Sequence, residues 1–156
     1  MAIKDRLVND VLFQKMEPLG IAKYWSVVQQ TLLESLAGQK ATEGYHIRLM
    51  GAVQDGSIQV WSALARQDSN PVLIGMIFTI ISHERLLGTK TLWIYGLSLH
   101  DKATPEVYAF CLATLQEYAK KEGCHDIRAL TEKHGVAKML KSNGWQNGAC
   151  LLTKEI

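Results

Sequence analysis

The stretch that most constrains this chain is VLIGMIFTII, Val72 to Ile81, a run of ten residues interrupted only by Gly75 and Thr79. It is about half the ~20 residues that a membrane-spanning helix needs. A strand with one wet face would alternate apolar and polar residues. Apolar residues at both parities predict a central strand covered on both faces. A chain with such a strand must supply a layer on each side of its sheet. The 156 residues suit one domain, at roughly 100–200 residues per domain, and 47% apolar content excludes a wholly disordered chain. The expectation is a single domain spanning 1–156.

The neighbours of the run are strand-like. Asp55-Gly56 marks a turn before SIQVWSALA (Ser57 to Ala65), RQDSNP makes the next turn, and after HERLLGTK the segment TLWIYGLSL (Thr91 to Leu99) returns. Strands joined by short turns of this kind predict an antiparallel meander. Ahead of it, DVLFQK (Asp10 to Lys15) reads as a short strand, broken by Pro18 and Gly20. Ile21, Trp25, Val28, Leu32 and Leu36 then fall on one helical face, with Gly38 placed to stop the helix. Thr42 can cap a second, shorter helix to about Met50. The alternation of Tyr45, Ile47 and Leu49 would also suit a strand, and the helix is preferred.

After Leu99 the period changes. Thr104 is a good N-cap, Pro105 suits the first helical position and Glu106 the positive end of the helix dipole. Tyr108, Cys111, Leu112, Leu115 and Ala119 mark the buried face, and Gly123 ends the helix. HDIRALT (His125 to Thr131) predicts a strand, Val136 to Asn143 a helix stopped by Gly144, and ACLLTKEI (Ala149 to Ile156) a final strand. The order is β-α-α-β-β-β-α-β-α-β. It predicts an α/β (α+β) domain: a mostly antiparallel, twisted mixed sheet of about six strands with helices on both faces.

Composition removes several functions. With 17 Lys+Arg against 15 Asp+Glu and no basic run, a nucleic-acid partner is not expected. The N-terminus alternates Lys4, Asp5 and Arg6 and has no signal-peptide apolar region. Neither a membrane partner nor secretion is expected. Cys111, Cys124 and Cys150 are odd in number, far apart and without a CxxC, which fits reduced thiols in a cytoplasmic compartment. No two of His46, His83, His100, His125 and His134 stand at i,i+3 or i,i+4 on one helix, so no metal is expected. Cys124 and His125 are neighbours, and neighbours on a strand face opposite ways, so they read as a small thiol and a histidine rather than a nucleophile pair. Trp25, Trp61, Trp93 and Trp145 read as core or rim packing. Leu86 and Leu87 sit at a hairpin tip, either as a partner surface or tucked under the sheet.

The order of elements resembles the GNAT-type N-acyltransferases, and particular residues carry the likeness. EYAKKEGCHDIRALT (Glu117 to Thr131) is similar to the family's long third helix and the strand after it. VAKMLKSNGW (Val136 to Trp145) is similar to its last helix, and SIQVW to its second strand. The resemblance implies acyl-CoA binding, acetyl-CoA being the usual donor, where the fourth and fifth strands part. Leu97, Ser98 and Leu99 would offer a backbone edge to the pantetheine arm. The pyrophosphate would lie on a loop of the type Q/R-x-x-G-x-G/A, whose glycines let backbone N–H groups approach the phosphates. Here that loop falls at Ala103 to Tyr108, with Glu106 and Tyr108 in the glycine places, Ala103 in the basic place, and Pro105 removing an N–H. Thr104 and Lys102 complete the implied cofactor-binding set, Lys102 being the nearby cation.

On the catalytic side, the family's last-helix Tyr, which protonates the departing thiolate, is replaced by Leu140. His100 and Asp101 end the fourth strand and are the titratable groups in place to act as a general base. An unperturbed histidine titrates near neutrality, at about 6.5. His100 can equally be a solvated strand-end histidine or a cap of the next helix. The resemblance implies one of two functions. One is an N-acetyltransferase acting on a small-molecule or protein amine with a degenerate CoA loop. The other is a catalytically inactive GNAT-fold structural or assembly protein that works as a homo-oligomer or with an assembly partner. Degenerate sequences with a Leu-type last helix resemble those of bacteriophage genomes, so a virion location is the alternative to the cytoplasm.

Overall fold

A computed structural model describes residues 10–36, 40–67, 70–99, 103–148 and 152–156. The apolar run lies within β3 (Asn70–Glu84), the middle strand of a five-stranded sheet ordered β1-β2-β3-β4-β5. Its partners are β2 (Ile58–Gln67) and β4 (Thr89–Leu99), both antiparallel to it. β1 (Val11–Lys15) pairs antiparallel with β2, and β5 (Asp126–Ala129) pairs parallel with β4.

Both faces of β3 are covered, as the run requires. Ile77 enters one core with Leu92, Ile94, Val107, Cys111, Leu115 and Leu140. This is the side of α4 (Pro105–Lys121) and α5 (His134–Ser142). Met76 and Phe78 enter the other core with Ile21, Val28, Leu32, Leu49 and Val53. That side holds α1 (Pro18–Lys23), α2 (Trp25–Ser35) and α3 (Tyr45–Gln54). Burying each large apolar side chain contributes roughly 1.5–3 kcal/mol, so the central strand anchors two cores at once.

The two interruptions of the run have separate causes. Thr79 is fully buried and hydrogen-bonded: Trp61 Nε1–H donates to its Oγ1 at 2.9 Å, and its hydroxyl donates to Gln59 Oε1 at 2.9 Å. Gln59 Nε2 in turn donates to the Gly56 carbonyl at 2.8 Å, so the buried chain of polar groups is satisfied. Gly75 faces Leu99 across the β3–β4 ladder, and a Cβ there would lie 2.5 Å from the Ser98 carbonyl oxygen and 2.8 Å from Leu99 Cα. Only glycine lets the two backbones come that close.

Four expectations are corrected. The helix expected from Ile21 divides at Tyr24, which closes α1 and opens α2, although its apolar face is kept. Thr42 does not cap α3: Gly44 does, at φ 75°, while Thr42 Oγ1 accepts from Arg48 Nη2. The turn expected at RQDSNP is entered by strand on both sides, since β2 runs to Gln67 and β3 begins at Asn70. Among the described residues the sheet has five strands where about six were expected, and residues 152–156 of the expected last strand have no ladder partner there. Gly38, Cys150 and residues 149–151 lie outside the described residues. Leu86 and Leu87 are exposed at the β3–β4 tip and are not tucked under the sheet. Among the described residues no helix is long and apolar enough to cross a membrane.

Candidate active site

Along β4 the residues facing the α4 core are first Leu92 and Ile94, then Leu97 and Leu99, so the parity changes between them. The cause is a β-bulge. Ile94 pairs with Thr79 and Gly96 with Phe78, which makes Tyr95 the extra residue on β4. A bulge bends a strand and re-aims the side chains beyond it. Without it Leu97 and Leu99 would point to the opposite face. The signal was present in TLWIYGLSL as a break in two-residue alternation, and sequence reading passed over it.

The bulge stands where β4 and β5 part. Their register runs from Thr91↔Asp126 to Ile94↔Ala129 and ends there, while β4 continues to Leu99. Into the lane that β5 leaves comes the end of α2. Leu36 takes an extended conformation (φ −68°, ψ 119°) and forms an isolated antiparallel bridge with Gly96. Gly96 has to be small here, because a Cβ would lie 3.2 Å from Ser35 Cβ and closer still to its Oγ. Between these elements is a cavity of about 60 Å³ with Leu36, Ile94, Leu97, Ala129, Val136 and Leu140 among its walls. A single water needs ~10–15 Å³ of such space, so the cavity holds a group of about four atoms. Glu34, Glu132 and Lys133, all exposed, also line it. These three were missed by sequence reading because Glu34 lies on α2 and Glu132 and Lys133 on the segment after β5, and only the fold brings the two to one opening.

The residues expected to hold an acyl donor are partly brought together. Leu97, Ser98 and Leu99 form the β4 edge beyond the last β5 pair, and Leu97 lines the cavity. Ala103 packs against the α4 core. Thr104 caps α4 as expected, its Oγ1 accepting from Val107 N–H at 3.4 Å. Pro105 and Glu106 occupy the first turn. The turn therefore has one N–H absent, one committed to Thr104, and a carboxylate at its positive end. The backbone edge and cavity leave room for an extended arm and a short acyl group, and the first turn of α4 has fewer free N–H groups to offer an anion than a glycine turn would. Leu140 is buried on the cavity wall, with no proton to give. His100, Asp101 and Lys102 lie outside the described residues.

The thiols are not poised for nucleophilic work. Burial pushes Cys111 up to about 12, and desolvation outweighs the nearby Lys90 in raising Cys124. Among the described residues no group of three or more His, Cys, Asp or Glu is placed to hold a metal ion.

No protein-family model matches the chain, and no curated protein matches it. Solved structures do. An aminoglycoside acetyltransferase from an uncultured soil metagenomic sample, solved in complex with trehalose, superposes at TM-score 0.70 with 9% identity, over 97% of this chain and 99% of that one. A predicted acetyltransferase with acetyl-CoA from Clostridium acetobutylicum gives 0.66 at 15% identity, over 93% and 96%. A ribosomal-protein-alanine N-acetyltransferase from Brucella melitensis gives 0.63 at 13%, over 94% and 97%. At such identities the likeness is one of fold: the chain has the architecture of these acetyltransferases along nearly its whole length.

Proposed function

We propose that this chain is an N-acetyltransferase that takes its acyl group from acetyl-CoA and passes it to an amine at the opening between β4 and β5. The observation that carries the reading is the bulge at Tyr95 together with the end of β4–β5 pairing at Ile94. These leave a strand edge beside a cavity of about 60 Å³. Acetyl-CoA, when bound, supplies an activated thioester carbonyl. The edge at Leu97, Ser98 and Leu99 binds the arm through main-chain groups, and Leu97, Val136 and Leu140 exclude water from the acyl group. β4 amides at the bulge polarise the carbonyl oxygen, a fixed-dipole effect worth ~3 kcal/mol per donor in such sites. His100 or Asp101 would take the proton of the amine, and Leu140 has none to give a departing thiolate. Thr104, Ala103, Glu106 and Tyr108 shape the exit beside α4, and Lys102 supplies the nearby positive charge.

Calorimetric titration with acetyl-CoA tests this. A saturable heat is expected; no heat at several hundred micromolar ligand would overturn the reading.

The first turn of α4 favours a second reading, in which the fold is retained as a catalytically silent assembly module, cytoplasmic or virion-borne. That reading expects an oligomer that ignores acetyl-CoA. A monomer that binds it would exclude the second reading.

A further inference from the structure

β4 lies between β3 and β5. Its β3 side is paired along the strand, with Gly96 opposite Phe78 and Leu99 opposite Gly75. A strand has two edges, so the antiparallel bridge between Leu36 and Gly96 is made on the β5 side, two residues past the last β5 pair at Ile94. The end of α2 therefore lies across the lane at the bulge. Beyond it, the edge at Leu97 to Leu99 has no ladder partner on this side among the described residues. Residues opposite one another in a bridge share a face of the sheet. Leu36 accordingly packs with the core of Met76 and Phe78, and the missing side chain of Gly96 leaves room for Ser35.

Little holds this contact. It is an isolated bridge, outside any ladder. The Ser35 hydroxyl donates back to the Leu32 carbonyl at 2.9 Å, so its proton is spent within the helix. Leu36 is half-buried, whereas the body of α2 is anchored by Val28 and Leu32, 0% and 5% exposed. A segment with few buried contacts opens at low cost while the core around it holds. Leu36 is also one wall of the cavity of about 60 Å³, so lifting it widens the space open to an acyl group.

We propose that Ser35 and Leu36 form a strap that competes with an acyl donor for the β4 main chain at the bulge, and that the donor binds by lifting it. The inference rests on the donor reading above and adds what the free chain does with the same main-chain groups. A backbone N–H has one proton to give. The lane at Gly96 therefore serves either Leu36 or the carbonyl of a thioester. Donor affinity is lower than an open lane would give, by the cost of releasing the strap. Val28 and Leu32 keep α2 in place, so the movement is confined to its last turn.

Calorimetric titration of the native chain and two variants with acetyl-CoA tests this. In Gly96→Ala the new Cβ meets Ser35 and pushes the strap off β4. Affinity is expected to rise about three- to tenfold, the equivalent of one net hydrogen bond no longer broken on binding. Adding Ser35→Gly removes the clashing atoms and lets the bridge form again, so affinity is expected to return to the native value. Hydrogen exchange read by mass spectrometry needs no variant and decides the matter if Gly96→Ala does not fold. When acetyl-CoA binds the native chain, exchange is expected to quicken at residues 33–36 and to slow at Leu97 to Leu99. Slower exchange at residues 33–36 overturns the strap and leaves the donor reading standing, as does equal or weaker binding by a folded Gly96→Ala. Heat from Gly96→Ala alone supports the strap and overturns the donor reading for the native chain. No heat from any of the three overturns both.

Discussion

The β4 edge and the first turn of α4 differ in what a ligand would meet. At Leu97 to Leu99 the surface is a strand edge, and side chains can change without altering its N–H and C=O groups. At Thr104 to Tyr108 the surface would also have to be main chain, but the side chains stand in it. Pro105 removes one donor, Thr104 occupies another, and Glu106 brings a negative charge. A recognition surface made from a strand edge survives any sequence that keeps the strand. One made from a helix N-terminus survives only residues that stay out of the way.

The largest expected effect strikes the intact half. Gly75→Ala forces a Cβ against Ser98 O and Leu99 Cα, both backbone, so β4 must move away from β3. Overpacking of this kind costs about 2 kcal/mol, or ~4–8 °C in Tm for a chain of this length, and the edge at Leu97 to Leu99 should lose its ligand with it. Thermal denaturation with and without acetyl-CoA reads both, and an unchanged Tm would show that the close approach does not hold the edge.

The next strikes the other half in the opposite direction. Removing the charge with Glu106→Gln, or opening the turn with Glu106→Gly and Tyr108→Gly, should tighten acetyl-CoA five- to tenfold, the equivalent of about 1–1.4 kcal/mol of relieved repulsion. The single variant is the cleaner measurement, because glycine inside a helix itself costs ~1 kcal/mol. Calorimetry that finds equal affinities would mean the turn does not limit binding.

A smaller effect tests the body of α4 behind that turn. With its thiol pushed up to about 12 by burial, Cys111 should stay unmodified by iodoacetamide at pH 8 in the folded chain and react on unfolding. Peptide mass spectrometry checks it, and rapid labelling would show α4 opening. The smallest effect lies at the far end of the β4–β5 pair. Burial alone would raise Asp126, but the bonds from Thr91 and Arg128 win and hold it below the ordinary carboxylate value. A depressed carboxylate contributes stability above its unfolded value of about 3.9 and loses it as pH falls through the folded value. Thr91→Val should therefore move the acid-unfolding midpoint upward, by less than about half a pH unit because the group is largely exposed. Acid titration followed by circular dichroism measures it.

Much of the fold was legible because it rests on local patterns. The run at Val72 to Ile81 implied two covering layers, and both are present. Thr104, Pro105 and Glu106 marked the start of α4, and the preferred helix near residues 45–50 is α3. The break at Tyr24 was hidden because the apolar face continues through it. The expected strand at Ala149 to Ile156 shows how far composition reaches: it sets what a segment can become, while pairing needs an edge in the right place. Leu97 and Leu140, which line the cavity, were singled out through the resemblance. The cavity walls from α2 and from the segment after β5 were not, since no short-range pattern joins Leu36 to Gly96.

By itself the sequence determined the layered α/β plan, the cap of α4 and the residue chemistry at Ala103 to Tyr108, because each depends on residues within a few positions of one another. The tertiary structure decided the bulge at Tyr95, the end of β4–β5 pairing at Ile94 and the bridge from Leu36. A parallel pair is set by the docking of a long crossover, and how far two such strands run together depends on contacts between residues remote in the chain.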